Sequence, residues 1–320
     1  MEKVWHRIRP PRARIERVGE GAIAFSANHT IFLREYYLYC VDLFRTALRR
    51  NGAAMNLVVG DYACTFGNDK PTYRVDIQYE HTLVKPGGRD SEGALRGKIP
   101  IFGEEGTYLV RLANWEYLNA LDLIIEYSRA NLANARTAPQ AEAYVRKAVQ
   151  IAPLVYEPDF GMAAERSEII SLFADVRQPR RREFLQKAAA SGLPLRNRKG
   201  LYGGTELKAL YRHTRILVNV HQTDHHHTLE ELRVLPALLC GVIVVSEEVP
   251  LKEEIPYADF IVWSRYEDLV ETALSVERDY ARHFEAIFGN PALPVMLAQL
   301  QSQNMANVAV AVQNLGASPR

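Results

Sequence analysis

Between Asn219 and Arg233 the chain reads NVHQTDHHHTLEELR, a dense run of side chains able to do chemistry. The apolar run ILVNV before it has the composition of a strand covered on both faces. In open parallel sheets, ligands bind beyond the carboxyl ends of the strands, where this loop would lie. Glu230 and Arg233 are three residues apart near an expected helix N-terminus, which attracts anions. A guanidinium there suits a phosphate, and a carboxylate suits ligand hydroxyls. The same spacing serves equally well for a surface ion pair. Thr228-x-x-Glu231 reads as a capping box, with the helix opening at Thr228. His221 and His225 have the four-residue separation of zinc ligands, yet they fall in a loop with no HExxH or CxxC beside them. Three successive histidines, His225 to His227, cannot all face one centre. No metal is expected, and the loop reads as solvated or phosphate-facing.

Other candidates stand at other strand ends. Ser246 and Glu247 follow the run VIVV and form a possible ligand wall or an ordinary polar turn. Arg177, and Arg181 within Arg180-Arg181-Arg182, follow the expected strand at residues 169–173, and such arginines suit phosphate pairing. In the first half, Gln78, Glu80 and His81 end an alternating run and His29 follows the first strand, positions that face the expected cleft. A histidine or carboxylate there could take a proton from an acceptor hydroxyl. No GxGxxG, GxxxxGK[ST] or GxSxG occurs, which argues against ordinary dinucleotide, P-loop and serine hydrolase chemistry.

These residues need a scaffold, and the pattern supplies one. Strand-like runs at 22–26, 55–59, 108–112 and 122–127 alternate with helical stretches, the longest at 30–50. Residues 75–80 alternate apolar and polar, as a half-buried strand does. After the prolines at 153–158 a second series begins, with strands at 169–173, 193–195, 216–220, 242–245 and 260–263. That predicts an α/β protein of two doubly wound, Rossmann-like domains facing a cleft. The expected parts are an N-terminal domain at 1–155, a C-terminal domain at 156–290, and helices at 291–320 packing back toward the first. The 320 residues are 48% hydrophobic and 24% charged, which excludes disordered and fibrous classes. Lys plus Arg (39) balance Asp plus Glu (38), so no nucleic-acid partner is advertised. Three scattered cysteines make no disulfide framework, and no apolar stretch would span a membrane. The start lacks the apolar core of a secretory signal, so a cytoplasmic location is expected. Residues 1–17 carry six basic and two acidic groups, enough to hold the chain at an anionic membrane surface or to form a solvated tail.

Beyond these local readings, RILVNVHQTDHHHTLEELRVLPALLCGVIVVSEEVP resembles the C-terminal signature of bacterial glycosyltransferases of the GT-B fold. In that group an apolar strand ending in N-x-H precedes L-E-x-x-R, an apolar helix, glycine, and a strand ending in S-E. Asn219, His221, Leu229, Glu230, Arg233, Gly241, Ser246 and Glu247 match. IIEYSRANLANAR, APLVYEP, RRREFLQKA and FIVWSRYEDLVETA are similar to further parts of the group, so the resemblance covers roughly residues 120–278. It implies a nucleotide-diphosphate sugar donor on the C-terminal domain and a glycan, lipid or small-molecule acceptor on the N-terminal one, with no metal or other cofactor. Arg233 and the Thr228 helix start would take the diphosphate, and Glu230 or Glu247 the ribose or sugar hydroxyls. Eight positions past Glu230 and Glu231 stand Leu238 and Leu239, so a paired-glutamate pattern of retaining members is missing. Stereochemistry is therefore open. A sugar-nucleotide or glycan-binding protein without turnover is the alternative, and a metal-dependent hydrolase built on the histidine loop is a third reading.

Overall fold

The computed structural model describes residues 13–26, 33–80, 82–86, 101–103, 108–161, 166–201 and 204–317. The chain begins with β1 (Arg14–Val18), β2 (Gly21–Phe25), α1 (Arg34–Arg50), β3 (Asn56–Val59) and β4 (Thr72–Gln78). A small excursion follows: β5 (Leu83–Val84), β6 (Ile101–Phe102), β7 (Leu109–Arg111) and α2 (Trp115–Asn119). The first half closes with β8 (Leu123–Glu126), α3 (Arg129–Ala135), α4 (Glu142–Lys147) and β9 (Ala148–Gln150). The second half contains β10 (Glu168–Ser171), α5 (Pro179–Ala190), β11 (Leu195–Asn197), α6 (Gly204–His213), β12 (Thr214–Asn219), α7 (Glu231–Leu239), β13 (Ile243–Glu247) and β14 (Val262–Ser264). Helices α8 (Leu269–Arg278), α9 (Tyr280–Phe288) and α10 (Ala292–Ala317) complete it.

Two parallel sheets result. The first has the order β1-β2-β3-β4-β8-β9, parallel except for the antiparallel β1–β2 pair. The second, β11-β10-β12-β13-β14, is parallel throughout. Each is covered on both faces. In the first half, α1 and α10 close one side and α2, α3 and α4 the other. The fold is thus α/β with two Rossmann-like sheets, as the alternation of runs predicts.

Helix α1 forms because Tyr37, Cys40, Val41, Phe44 and Leu48 recur at three- and four-residue steps and bury one face. The Tyr37 hydroxyl donates to the Val59 carbonyl at 2.6 Å and accepts from the Ser26 amide at 3.2 Å, tying the helix to the carboxyl ends of β2 and β3. Gly21 is required because a Cβ there would lie 1.9 Å from the Met55 carbonyl oxygen. The charge-free helix α10 packs back on α1 and β9. Its buried Asn304 accepts from the Ala152 amide (2.8 Å) and donates to the Ala152 carbonyl and the Tyr39 hydroxyl (both 2.9 Å). Asn307, which donates to the Gln150 carbonyl at 2.8 Å, and Ala309, whose carbonyl accepts from Asn51 at 3.2 Å, help Asn304 fix the returning helix.

Several expectations change. Residues 14–18 are an edge strand rather than part of a basic tail, with Glu16 held by Arg45 at 2.9 Å. Residues 1–12 lie outside the described residues. Strand β4 is not half-buried: Asp76 and Gln78 on its polar set are 7% and 2% exposed, while Tyr79 beyond its end is 53% exposed. A central parallel strand has no solvent face, so alternation here separates two kinds of interior. Strand 108–112 belongs not to the large sheet but to the order β5-β7-β6. Among the described residues no helix is long and apolar enough to cross a membrane.

Candidate functional site

The order β11-β10-β12-β13-β14 reverses direction between β10 and β12, and ligands in such sheets bind outside the carboxyl ends at that reversal. A cavity of about 800 Å³ opens there. Its C-terminal wall is built from Ala174 and Asp175 after β10, Gln222 after β12, Arg181 on α5, and Glu230 and Arg233 at the start of α7. The opposite wall comes from the carboxyl ends of the first sheet: Asp61 after β3, Asp76 to Glu80 at the end of β4, and Tyr127 after β8. Tyr117 of α2 joins them. Both sheets point their ligand-binding edges at one space.

Charge is concentrated in three side chains on the C-terminal wall. The Arg181 guanidinium donates to Glu230 at 2.7 Å and to the Val220 carbonyl at 3.1 Å, and it lies over the Phe173 ring. Arg233 pairs with the other Glu230 oxygen and donates to the Leu172 carbonyl at 3.0 Å. Two guanidiniums thus clamp one carboxylate, while Asp175, the other carboxylate of this wall, is held by Arg177. Burial pulls the Arg181 pKa below its usual value, while Glu230 opposes that pull. The buried Arg181 Nε has no hydrogen-bond partner, so donor capacity remains beside the cavity. The first turn of α7 adds the positive end of a helix dipole. Together these groups can hold an anion.

The remaining candidates are placed as follows. Arg177 does not line the cavity; it grips Asp175 through Nε at 3.0 Å and Nη2 at 3.1 Å, and holds that carboxyl below its ordinary range. Asn219 donates to Ser246 Oγ at 3.0 Å across β12 and β13, and both side chains are buried away from the cavity. Glu247 accepts from the His221 amide at 3.0 Å and from Arg180, which also stacks on Tyr266. Burial raises the Glu247 pKa, with Arg180 working against it. Glu80 lines the cavity, paired with Arg111 at 3.2 Å. His29 and His81 lie outside the described residues.

The capping box does not form. Helix α7 begins at Glu231 with Glu230 as its N-cap and no side-chain cap bond. Thr228 instead accepts from the Leu83 amide at 3.0 Å and donates to Asn131 at 3.3 Å, both in the first half. Glu231 is buried and accepts from the Tyr257 hydroxyl at 2.6 Å. The threonine is drawn into an inter-sheet contact, and the helix start moves three residues on.

The histidine loop is solvated only in part, with Asp224 exposed. His221 and His226 are 2% and 4% exposed. The Lys85 amide donates to the His225 carbonyl at 2.9 Å, and the His227 amide donates to the Leu83 carbonyl at 3.0 Å. The loop therefore adds to the edge of the small β5-β7-β6 sheet and straps the two halves together. His221 and His227 stack with centroids 5.1 Å apart, and burial with the His221 charge lowers His227 to about 4. Among the described residues no group of three or more His, Cys, Asp or Glu could hold a metal ion. Beside the strap, Glu126 at the end of β8 accepts from the Ser128 amide (2.9 Å), from Asn131 (3.0 Å) and from the Tyr144 hydroxyl.

Asp61, Asp76, Tyr117 and Tyr127 are cavity residues that the sequence pattern does not single out. Asp76 accepts from the Tyr117 hydroxyl and from the Ile77 amide at 2.8 Å.

No family model matches the sequence. Over 89 residues the chain is 29% identical to the uncharacterized protein R358 of Acanthamoeba polyphaga mimivirus, a stretch covering 27% of this chain and 32% of that protein. The match thus takes in about a third of the mimivirus protein. Among solved structures, TarM aligns with a TM-score of 0.43 and 11% identity over 82% of this chain and 55% of its own, so the chain spans about half of TarM. The UDP-forming α,α-trehalose-phosphate synthase from Burkholderia vietnamiensis aligns with a TM-score of 0.42 and 10% identity over 96% and 91% of the two chains. CalG4, the calicheamicin glycosyltransferase, gives 0.32 and 16% over 88% and 80%. These likenesses are distant, and the fold assignment rests on the strand order and register described above.

Proposed function

We propose that the chain is a GT-B-type glycosyltransferase that moves a sugar from a nucleotide-diphosphate donor to an acceptor hydroxyl without a metal. The observation that carries this reading is the Arg181–Glu230–Arg233 cluster beside the reversal point of the second sheet, facing a carboxylate-lined wall of the first. Arg181, Arg233 and the α7 N-terminus would hold the diphosphate, and Glu230 would take ribose or sugar hydroxyls.

In the transfer, the bond between the anomeric carbon and the diphosphate oxygen breaks, and its electron pair leaves with the diphosphate. The acceptor oxygen bonds to the anomeric carbon, and its proton passes to a carboxylate of the opposite wall. Asp76, buried where the cavity meets β4, is that carboxylate in our reading. Stabilising a leaving diphosphate by fixed guanidiniums and amides requires no reorganisation during the reaction.

The test is turnover of a panel of nucleotide-diphosphate sugars, followed as release of free nucleotide, with and without excess chelator. Release that persists in chelator is expected. Loss on chelation with rescue by one divalent ion overturns the metal-free mechanism. Binding without release favours the non-catalytic alternative.

A further inference from the structure

Resting on the donor reading above, we propose that the N-terminal wall of the cavity is a subsite for a hydroxyl-rich, unphosphorylated acceptor, with Gln78 as its specificity-determining residue. Gln78 is 2% exposed and lines the cavity. Its Oε1 accepts from the Glu80 amide at 3.1 Å, while its buried Nε2 has no hydrogen-bond partner. A buried amide donor left unpaired is destabilising, so its retention beside a cavity marks a place for a ligand oxygen.

The charges around it select the ligand. Asp61, Asp76 and Glu80 line this wall, whereas the cavity's described guanidiniums, Arg181 and Arg233, stand on the other. Asp61 is paired with Arg74 at 2.9 Å and Glu80 with Arg111 at 3.2 Å, but neither arginine lines the cavity, so the carboxylates present acceptors to it and favour hydroxyls or amines over phosphate. Asp76 is fixed in place by the Tyr117 hydroxyl and the Ile77 amide. Tyr79, 53% exposed at the same wall, offers an aromatic face to the C–H side of a ring. An amide donor, fixed carboxylates and an exposed aromatic ring together match a sugar ring. A phospholipid or sugar phosphate would instead bring its anion to a wall that lines the cavity with carboxylates and, among its described residues, with no guanidinium.

The experiment is ligand-observed NMR on the full chain with methyl glucoside, glucosamine and glucose 6-phosphate, each with and without UDP, GDP or ADP. With the guanidinium site filled by nucleoside diphosphate, the two unphosphorylated sugars should bind, and the phosphate should bind weaker by about tenfold or more, because no described guanidinium of this wall lines the cavity. Gln78→Glu keeps the acceptor for the Glu80 amide and removes the donor, and Gln78→Met removes both without adding charge. Each should lower sugar affinity by about tenfold and leave nucleotide affinity unchanged. Equal or tighter binding of glucose 6-phosphate, no sugar binding at all, or unchanged sugar affinity in a folded Gln78 variant overturns the proposal. Sugar binding in this pattern with no nucleoside diphosphate bound would instead leave the subsite standing and sink the donor reading.

Discussion

Arg233 and Arg181 share one carboxylate, yet their surroundings assign them different parts. Arg181 is almost wholly enclosed, bonded to Val220 and stacked on Phe173, so its loss would disturb the fold as well as the site. Arg233 keeps 27% of its side chain exposed and can be removed more cleanly. Arg233→Ala should weaken nucleoside diphosphate binding by about 1.5–3 kcal/mol, the range for a charge-assisted hydrogen bond, with melting little changed. Unchanged affinity in calorimetry would return Arg233 to the role of an ion-pair partner for Glu230. On the opposite wall, Asp76→Asn should lower kcat by about 10²–10⁴, as loss of a general base does, while nucleotide affinity holds. Steady-state kinetics with kcat unchanged would remove Asp76 from the reaction. Of these residues, Glu230, Arg181 and Arg233 were singled out in the sequence by their charge after apolar strands, and the fold brings them to one cavity while also forming the Glu230–Arg233 ion pair that the spacing equally suits. Asn219, His221, Ser246 and Glu247 carry the same polarity at strand ends, but the fold pairs them with one another and with Arg180. Polarity at a strand end signals either a ligand or a neighbouring strand. Asp76 was hidden for the opposite reason, since alternation made it look solvent-facing when it lines an interior cavity, whereas Gln78, at the end of the same run, was expected at the cleft and lines it.

At the scale of elements, the junction between the sheets depends on buried acids and histidines. Burial raises both Glu126 and Glu231 to about 7, and each carboxyl accepts from a buried tyrosine hydroxyl. Between the ordinary carboxyl value of 4.5 and about 7 the folded chain holds more protons than the unfolded one. The stability tied to these groups is therefore full below about pH 4.5 and lost as pH rises through about 7. His227, lowered to about 4, acts in the other direction: it costs stability below about pH 4 and ceases to do so above about 6.5. Glu231→Gln removes one of the acids while keeping a hydrogen-bonding side chain. Relative to the parent, it should gain about 2–3 kcal/mol between pH 5 and pH 8. Urea unfolding at the two values measures this, and a difference that does not change with pH would contradict the assignment. None of this was visible in Thr228-x-x-Glu231, which has the letters of a capping box. A cap is a local choice, and Leu83, Asn131 and Tyr257 outbid it from positions far away in sequence. Helix α7 ends at Leu239, two residues before a glycine. Gly241 adopts φ +70°, and the Val242 amide reaches back to the Ala237 carbonyl at 3.1 Å.

For the whole molecule, the apolar runs ILVNV and VIVV announced parallel strands covered on both faces, and the break near the prolines separated two such series. What stayed hidden were elements held by partners rather than by composition. Strand β1 is mostly exposed and exists because β2 offers it an edge. Strand β9 has three residues, and the histidine strap pairs with strands of the other half. We propose that the reversal point of the second sheet binds a nucleoside diphosphate. Hydrogen exchange of the backbone amides, with and without saturating nucleoside diphosphate, tests it most directly, since binding the native state alone suppresses local opening. Protection is expected at residues 172–182 and 220–233, with α10 at residues 292–317 unchanged. Binding with protection confined to other segments, or no protection under any of the common nucleoside diphosphates, would contradict it.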